Sequence, residues 1–402
     1  LRANHAKIDG DAFPDTAMNT DHPLVQQARS LGVEFGRRAA EIEGCRKLPA
    51  DIARAMGVAG FYRMFITESA GGLEVSPGVA AQVYEAIAEG DASCGWVAFI
   101  GATTGLALAR MPEAAVREVF AAPETLIAGV FAASGNAVKV DGGFRVNGRW
   151  QFGSGSSNAE WIGGGCTLVE GDRAIVNSAG LPRNHMLLFR AADVHSLDTW
   201  HTSGLRGTGS TDFTVHDLFV PEGRASGYLI KALPDRPLFR FPQFALLAHG
   251  VAAVAMGIAR ASLREFVRLA GEKKRYGASV TLAHHPSMQI EVARAEARLR
   301  SARAFFYETI ESAWTLAVEG APLPLELRRD MRLATTHAME ASLQVVDAMY
   351  TLAGGSAVYE SSPLQRHLRD VHVASQHIMV SSNTLETIGQ LLLGIDANTA
   401  TL

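Results

Sequence analysis

The sequence predicts an α+β chain in three parts: helices over 1–124, a β-domain over 125–230 and a helical bundle over 231–402. Three observations carry this. Apolar residues recur at helical spacing up to about residue 120, alternate with period two through the centre, and return to a 3.6-residue period from about 240. With 402 residues, 48% of them hydrophobic, the chain has ample material for a large core.

In the first part, Ala53–Met56 and Val79–Ala88 read as helical, and a glycine-rich turn at Ala70-Gly71-Gly72 lies between them. In the centre, Ala137–Val140, the turn Asp141-Gly142-Gly143 and Phe144–Val146 read as a hairpin, because Asp-Gly suits the positive φ of a tight turn. Asn147-Gly148 reads as a second turn before Arg149–Phe152 resumes the alternation, and Asp212–Pro221 ends the β-rich region. In the last part, Val251, Val254, Ile258, Leu263 and Phe266 mark one long helix. Met288–Ala317 reads as a second and Leu325–Leu352 as a third, stopped by Gly354-Gly355. Three or four long antiparallel helices imply a bundle.

Composition narrows the function. A net charge of -4 gives no electrostatic footprint for nucleic acid, and no Lys/Arg block suggests membrane attraction. There is no run of 18 apolar residues and no signal-peptide pattern, so a cytoplasmic location is expected; with Leu1 first, the natural N-terminus is expected further upstream. Cys45, Cys94 and Cys166 are too scattered for a disulfide framework or a zinc site and are expected to be buried small hydrophobes. His367, His372 and His377 would diverge by about 140° per step on a helix. His284-His285 reads as surface, and no Glu-x-x-His pair supports a di-iron bundle, so no metal is expected. Gly153-Ser154-Gly155-Ser156 and Gly207-Thr208-Gly209-Ser210 match neither the P-loop nor GxGxxG; spacing alone leaves them as tight turns. In the stretch Ser362–His377, Arg366, Asp370 and His377 fall on nearly one helical face, a polar row that needs partners or a ligand.

The order of the three parts, with several local matches, resembles the acyl-CoA dehydrogenase superfamily across nearly the whole chain. The matches are Gly148 to Trp161, Thr351-Leu352-Ala353-Gly354-Gly355 and Arg369-Asp370. The resemblance implies an acyl-CoA dehydrogenase-like fold: an N-terminal helical domain, a central β-barrel-like domain and a C-terminal four-helix bundle around a flavin. It places Phe152 where the dehydrogenases set a tryptophan against the flavin, and Ser154 where a threonine hydroxyl meets the flavin N5 edge. Gly354 and Gly355 match the glycine pair near the cofactor's phosphates. Arg275 and Gln289 lie where the dehydrogenases hold a neighbouring subunit's cofactor, although Lys273 occupies the expected arginine position; a solvated basic helix end is the plain alternative. Shared cofactor sites imply at least a dimer, and the resemblance implies a homotetramer.

The departures from the dehydrogenases are informative. Counting back from Pro363, the catalytic glutamate's position holds Ser361, and Glu360 is one residue off. The segment around Val130-Phe131-Ala132 replaces the dehydrogenases' Thr-Glu-Pro, which puts Phe131 at the cofactor. These deviations are similar to the superfamily's two-component flavin-dependent monooxygenases, as are Thr199 to Ser210 and His377 after Arg369-Asp370. That branch implies reduced FMN or FAD from a separate flavin reductase, reaction with O2 through a C4a-hydroperoxyflavin, and oxygenation of a small aromatic or polycyclic substrate. No nicotinamide fingerprint is present, which agrees with a separate reductase. The resemblance assigns Ser154 to the N5 edge and His377 to proton movement there, since an imidazole titrates near neutrality. Trp96 is assigned to the substrate wall or else to plain core. No histidine follows Gly95-Trp96, unlike some phenol hydroxylases. An acyl-CoA dehydrogenase with bound FAD is the alternative function, and a non-catalytic scaffold is a third.

Overall fold

The structure, a computed structural model, describes residues 21–171, 173–177, 180–400 and 402; the first 20 residues of the expected N-terminal part lie outside it. Six helices come first: α1 (Pro23–Arg37), α2 (Ala39–Cys45), α3 (Ala50–Val58), α4 (Pro77–Gly90), α5 (Ala92–Gly105) and α6 (Glu113–Val119). Seven strands follow: β1 (Ile127–Val140), β2 (Gly143–Gly153), β3 (Trp161–Glu170), β4 (Arg173–Ala174), β5 (Asn184–Arg190), β6 (His195–Leu197) and β7 (Thr211–Pro221). The chain then returns to helix: α7 (Pro237–Arg240), α8 (Gln243–Glu272), α9 (Pro286–Glu319), α10 (Leu325–Ala353), α11 (Pro363–Ala374) and α12 (Asn383–Leu392).

The strands form one mixed sheet in the order β4-β3-β1-β2-β7-β6, with β5 also paired to β3. β1 runs parallel to β3 and antiparallel to β2. No pairing closes the sheet into a ring among the described strands, but Phe144, Trp150, Ile162, Leu187, Phe189 and Phe213 from four strands share one enclosed apolar cluster. Trp150 stacks on Phe213 with ring centroids 5.1 Å apart and donates its indole N–H to the Gly165 carbonyl at 2.8 Å. Gly135, Gly148 and Gly164 leave room for that ring: a Cβ on each would lie 2.3, 2.5 and 2.7 Å from it.

Two local expectations change. Asn147-Gly148 is not a turn but lies inside β2, where the register to β7 shifts between Val146 and Gly148. Asn147 still fulfils a turn-like role, since its side-chain oxygen accepts from the Asp217 N–H at 2.9 Å, and Asp217 has φ 45°. A second shift between Trp150 and Gly153 breaks the alternation, so that Gln151 and Phe152 are both exposed.

The helices from both ends of the chain share a single core, in which α4 and α5 pack against α8, and α8 against α10 and α11. Ala92–Arg110 and Gln243–Glu272 are long and apolar enough to cross a membrane, but both are mostly buried in this core, which accounts for their composition. Cys94 and Cys166 are buried as expected; Cys45 is exposed at the end of α2, where the chain turns through Arg46 at φ 52°. The polar row near the C-terminus is also divided. Pro363 begins α11, but the helix stops at Ala374, and His377 takes an extended conformation (φ -71°, ψ 130°) that caps a short 3-10 turn at Ile378–Val380. Arg366 and Asp370 share a helix; His377 does not belong to it.

Gly135→Ala should lower the thermal midpoint, because its Cβ would overlap the Trp150 indole. Overpacking of this kind costs about 1–3 kcal/mol, measurable by urea unfolding.

Candidate active site

Helix α5 starts at Asp91, whose carboxylate accepts from the Cys94 N–H at 2.9 Å. That cap sets the helix so that Trp96, in its second turn, reaches the β-domain: its indole N–H donates to Ser154 Oγ at 3.0 Å. Ser154 is 6% exposed, in a turn in which its own N–H donates to the Phe152 carbonyl at 2.8 Å. The two glycine-rich runs meet here. The Gly155 N–H donates to the Thr208 carbonyl at 2.8 Å, and Ser154 Oγ lies 2.7 Å from Ser210 Oγ. Ser210 Oγ is in turn 2.6 Å from Thr208 Oγ1, which donates to the Leu205 carbonyl at 2.8 Å.

Proton counting gives this buried row a direction. A carbonyl can only accept, so the single proton of Thr208 goes to Leu205 and Thr208 must accept from Ser210. Ser210 has then used its proton and must accept from Ser154. Ser154 therefore receives from Trp96, donates to Ser210, and keeps one lone pair for a donor outside the chain. No isolated serine in a tight turn would have so restricted a hydroxyl.

Trp96 also faces the other expected catalytic residue. Its ring is edge-on to His377 at 5.8 Å and to Phe99 at 4.8 Å, so the indole bridges Ser154 and His377. His377 Nδ1 accepts from the Met379 N–H at 3.3 Å, which leaves the ring proton on Nε2. Burial, followed by the charge of Arg332, pushes the His377 pKa down to about 4. It is a neutral imidazole at physiological pH, not a group poised near neutrality.

The loop carrying Thr208 and Ser210 is held by α11. Asp370, buried, accepts from the Leu205 N–H at 2.6 Å, where Leu205 adopts φ 48°. Neighbouring Arg369 bonds the Ser203 carbonyl and Glu43. Gly204 lies so close to the Arg369 carbonyl that a Cβ would approach it to 2.2 Å. Burial pushes the Asp370 pKa up to about 7, against the opposing effect of the Leu205 bond.

Phe152, at φ 62°, is turned outward and 69% exposed, with its ring edge-on to Trp200 at 6.5 Å; it is not β-core. Phe131 is 48% exposed and begins an exposed run to Ser134, where β1 shifts register against β3. The remaining expected residues form a second group. Lys273 donates to the Ala353 carbonyl at 2.6 Å, tying the end of α8 to Gly354, which has φ 58°. Arg275 is exposed in the bend after α8, and Gln289 is exposed and donates to the Ala283 carbonyl at 2.9 Å. The three C-terminal histidines separate as expected: His367 is buried against Ser262 at 3.0 Å, and exposed His372 meets Asp347 at 2.9 Å. No group of three or more metal-ligating side chains occurs among the described residues.

Sequence reasoning missed Thr208, Ser210 and Arg332. The signal for the first two was present, since the two runs place glycines and hydroxyls at the same offsets. Arg332 could have been noticed as a charge within the apolar stripe of α10.

Family models for the acyl-CoA dehydrogenase N-terminal and C-terminal domains match residues 21–123 and 249–382. Indole-3-acetate monooxygenase of Pseudomonas putida is 36% identical over 90% of this chain and 92% of its own length. The HsaA monooxygenase of Mycobacterium tuberculosis superposes with a TM-score of 0.84 at 25% identity, covering 94% of this chain and 99% of that one. XiaF from Streptomyces sp., solved with FADH2 and glycerol, gives 0.85 at 28% identity over 94% and 97% of the two chains.

Asp370→Ala should destabilise the fold by about 1–3 kcal/mol, because it leaves the Leu205 N–H buried and unpaired, whereas Asp370→Asn keeps an acceptor and should cost much less. Chemical denaturation of the two variants distinguishes them. Acid should also weaken the fold. Burial holds His249 and His367 down at about 3 and His377 at about 4, so below pH 6.5 the unfolded chain takes up protons that the folded chain does not. Asp370, raised to about 7, acts in the opposite sense between pH 3.8 and 7, as do Asp91 and Glu311, whose carboxyls burial also raises, while the burial-lowered His185 adds a fourth imidazole to the other side. The urea midpoint should therefore fall between pH 6.5 and 4, with a shallower fall in His377→Gln.

Proposed function

The chain belongs to the acyl-CoA dehydrogenase superfamily and to its flavin-dependent monooxygenases, and from that premise we propose that Ser154, Trp96 and His377 form the reaction site. It is an oxidoreductase that uses flavin as an oxygenase component, so a separate reductase and a small-molecule substrate are implied. The bridging of Ser154 and His377 by Trp96 is the observation that carries the reading.

The residues present fit a reduced flavin. A reduced isoalloxazine carries an N–H at N5, and Ser154 keeps a lone pair for a donor. A flat apolar ring needs apolar walls, and Phe152, two residues before Ser154, and Phe131, where β1 shifts register, are large aromatic side chains held exposed. Bound reduced flavin supplies the two electrons that activate O2. The chain's own residues do the rest. Ser154 would accept from the cofactor's N5–H, and its own proton is committed to Ser210, which keeps the hydroxyl from turning. Trp96 and Phe99 exclude water on the side of His377. His377 holds a proton at Nε2 and offers it as a hydrogen-bond donor; Nδ1 is occupied by Met379.

Arg275 and Gln289 are assigned to the cofactor of a neighbouring subunit and Gly354 and Gly355 to the cofactor's phosphates, in a homotetramer located in the cytoplasm. The exposed Arg275 and the open backbone at Gly354 suit an anionic phosphate. FAD is favoured over FMN, because a second anchoring surface suits a dinucleotide and because XiaF was solved with FADH2. An aromatic substrate is supported by the indole-3-acetate relative and by the Trp96–Phe99 pair. The thioester-oxidising alternative lacks its base: Ser361 and Glu360 are both exposed ahead of α11.

Purified chain should bind photoreduced FAD under argon more tightly than oxidised FAD. Ser210→Ala should reduce that preference by releasing the Ser154 hydroxyl. On admitting O2, both Ser154→Ala, which removes the acceptor for N5–H, and His377→Ala should increase the share of electrons lost as free H2O2, His377→Ala by about 10-fold or more as a lost charge-stabilising donor. Failure to bind reduced flavin would sink the reading, and unchanged H2O2 yield in both variants would remove the assigned roles.

A further inference from the structure

Helix α10 carries a buried cation with no counter-ion among the described residues. Arg332 is 3% exposed. Its Nη1 reaches only the Met379 sulfur at 3.6 Å, its Nη2 reaches Thr384 Oγ1 at 3.3 Å, and its Nε has no partner. No carboxylate lies within ion-pair distance of it among the described residues. Two less deeply buried guanidinium groups are both paired: Arg260 with Glu296 at 2.6 Å and Arg303 with Glu85 at 2.8 Å. A lone ion taken out of water is costly unless an opposite charge meets it. Burial pushes Arg332 down only to about 10, so it remains cationic at neutral pH.

A second side chain nearby is also unsatisfied. His249, on α8, is 2% exposed with neither ring nitrogen bonded, and its ring lies edge-on to Phe241 at 5.8 Å and Phe306 at 5.2 Å. It is close enough for the Arg332 charge to oppose its protonation. Arg332 is also adjacent to the reaction site. Met379, which it touches, donates its N–H to His377, and His377 faces Trp96.

We propose that Arg332 binds the carboxylate of the substrate, with His249 as an additional hydrogen-bond donor, so that the substrate is a small aromatic acid whose ring lies against Trp96. A guanidinium fork suits a carboxylate, and a charge-assisted pair in a dry site restores the missing counter-ion. This rests on the monooxygenase reading for the position of the ring but not for the charge. Arg332 is thereby the residue that separates aryl acids from their neutral analogues.

Equilibrium titration of the flavin-free chain with indole-3-acetate and with 3-methylindole, followed by calorimetry, tests the pairing without turnover. The wild type should prefer the acid. Arg332→Met should weaken acid binding by about 10- to 100-fold and leave the neutral compound little changed, while Arg332→Lys keeps part of the preference. Met379→Glu provides a variant that does not leave the cation bare. It should supply an internal carboxylate, raise the thermal midpoint and weaken the acid in the same way. Equal binding of acid and neutral compound by the wild type, or an unchanged ratio in Arg332→Met and Met379→Glu, would overturn the proposal. So would a change in subunit assembly in Arg332→Met with the ratio unaltered, since the counter-ion would then come from a neighbouring subunit. Binding of reduced FAD, measured separately, reports on the monooxygenase reading alone.

Discussion

The hydrogen bond from the Leu205 N–H to the buried carboxyl of Asp370 ties the helical bundle to the β-domain, and the site depends on it. Leu205 sits in a left-handed conformation that an L-residue adopts only when its surroundings hold it there. The same residue's carbonyl ends the hydroxyl row from Trp96 through Ser154, Ser210 and Thr208. One loop residue is thus fixed at its N–H by α11 and at its carbonyl by the row that orients Ser154. Arg369 and the close approach of Gly204 hold the flanking residues in the same place.

Burial around that loop has consistent electrostatic effects. Asp370 is driven toward its neutral form and His377 is kept from protonating, so the site is polar in hydrogen bonding but sparing in charge. The exception is Arg332, a cation in apolar surroundings next to a neutral histidine. In such a place an unpaired charge acts strongly on whatever anion reaches it, because little water is present to screen it.

The apolar interior accounts for how residues so distant in sequence meet. α4, α5, α8, α10 and α11 share one core, so Trp96 from the first part and His377 from the last are brought together by packing rather than by any local motif. The β-domain has its own core around Trp150, for which three glycines surrender their side chains. Its bulges then turn Phe152 outward and leave Phe131 exposed, where an isolated sheet would have no use for them.

Periodicity in the sequence was enough for the order of helices, strands and helices, and for two of the three long helices of the bundle to within two residues at each end, because a 3.6-residue apolar period and a glycine stop are local signals. The family resemblance singled out Ser154 and His377 as candidates, and the missing glutamate at Ser361 pointed to the oxygenase branch. What only the tertiary structure decided is the chemistry of those side chains. Asn147-Gly148 looks like a turn in isolation but is taken up into a bulged strand by its partner β7. Arg366, Asp370 and His377 look like one helical face until Ala374 ends the helix. The direction of the Ser154 hydroxyl, the neutrality of His377 and the lone charge of Arg332 all arise from burial and from partners far away in sequence, and no local pattern of residues records either.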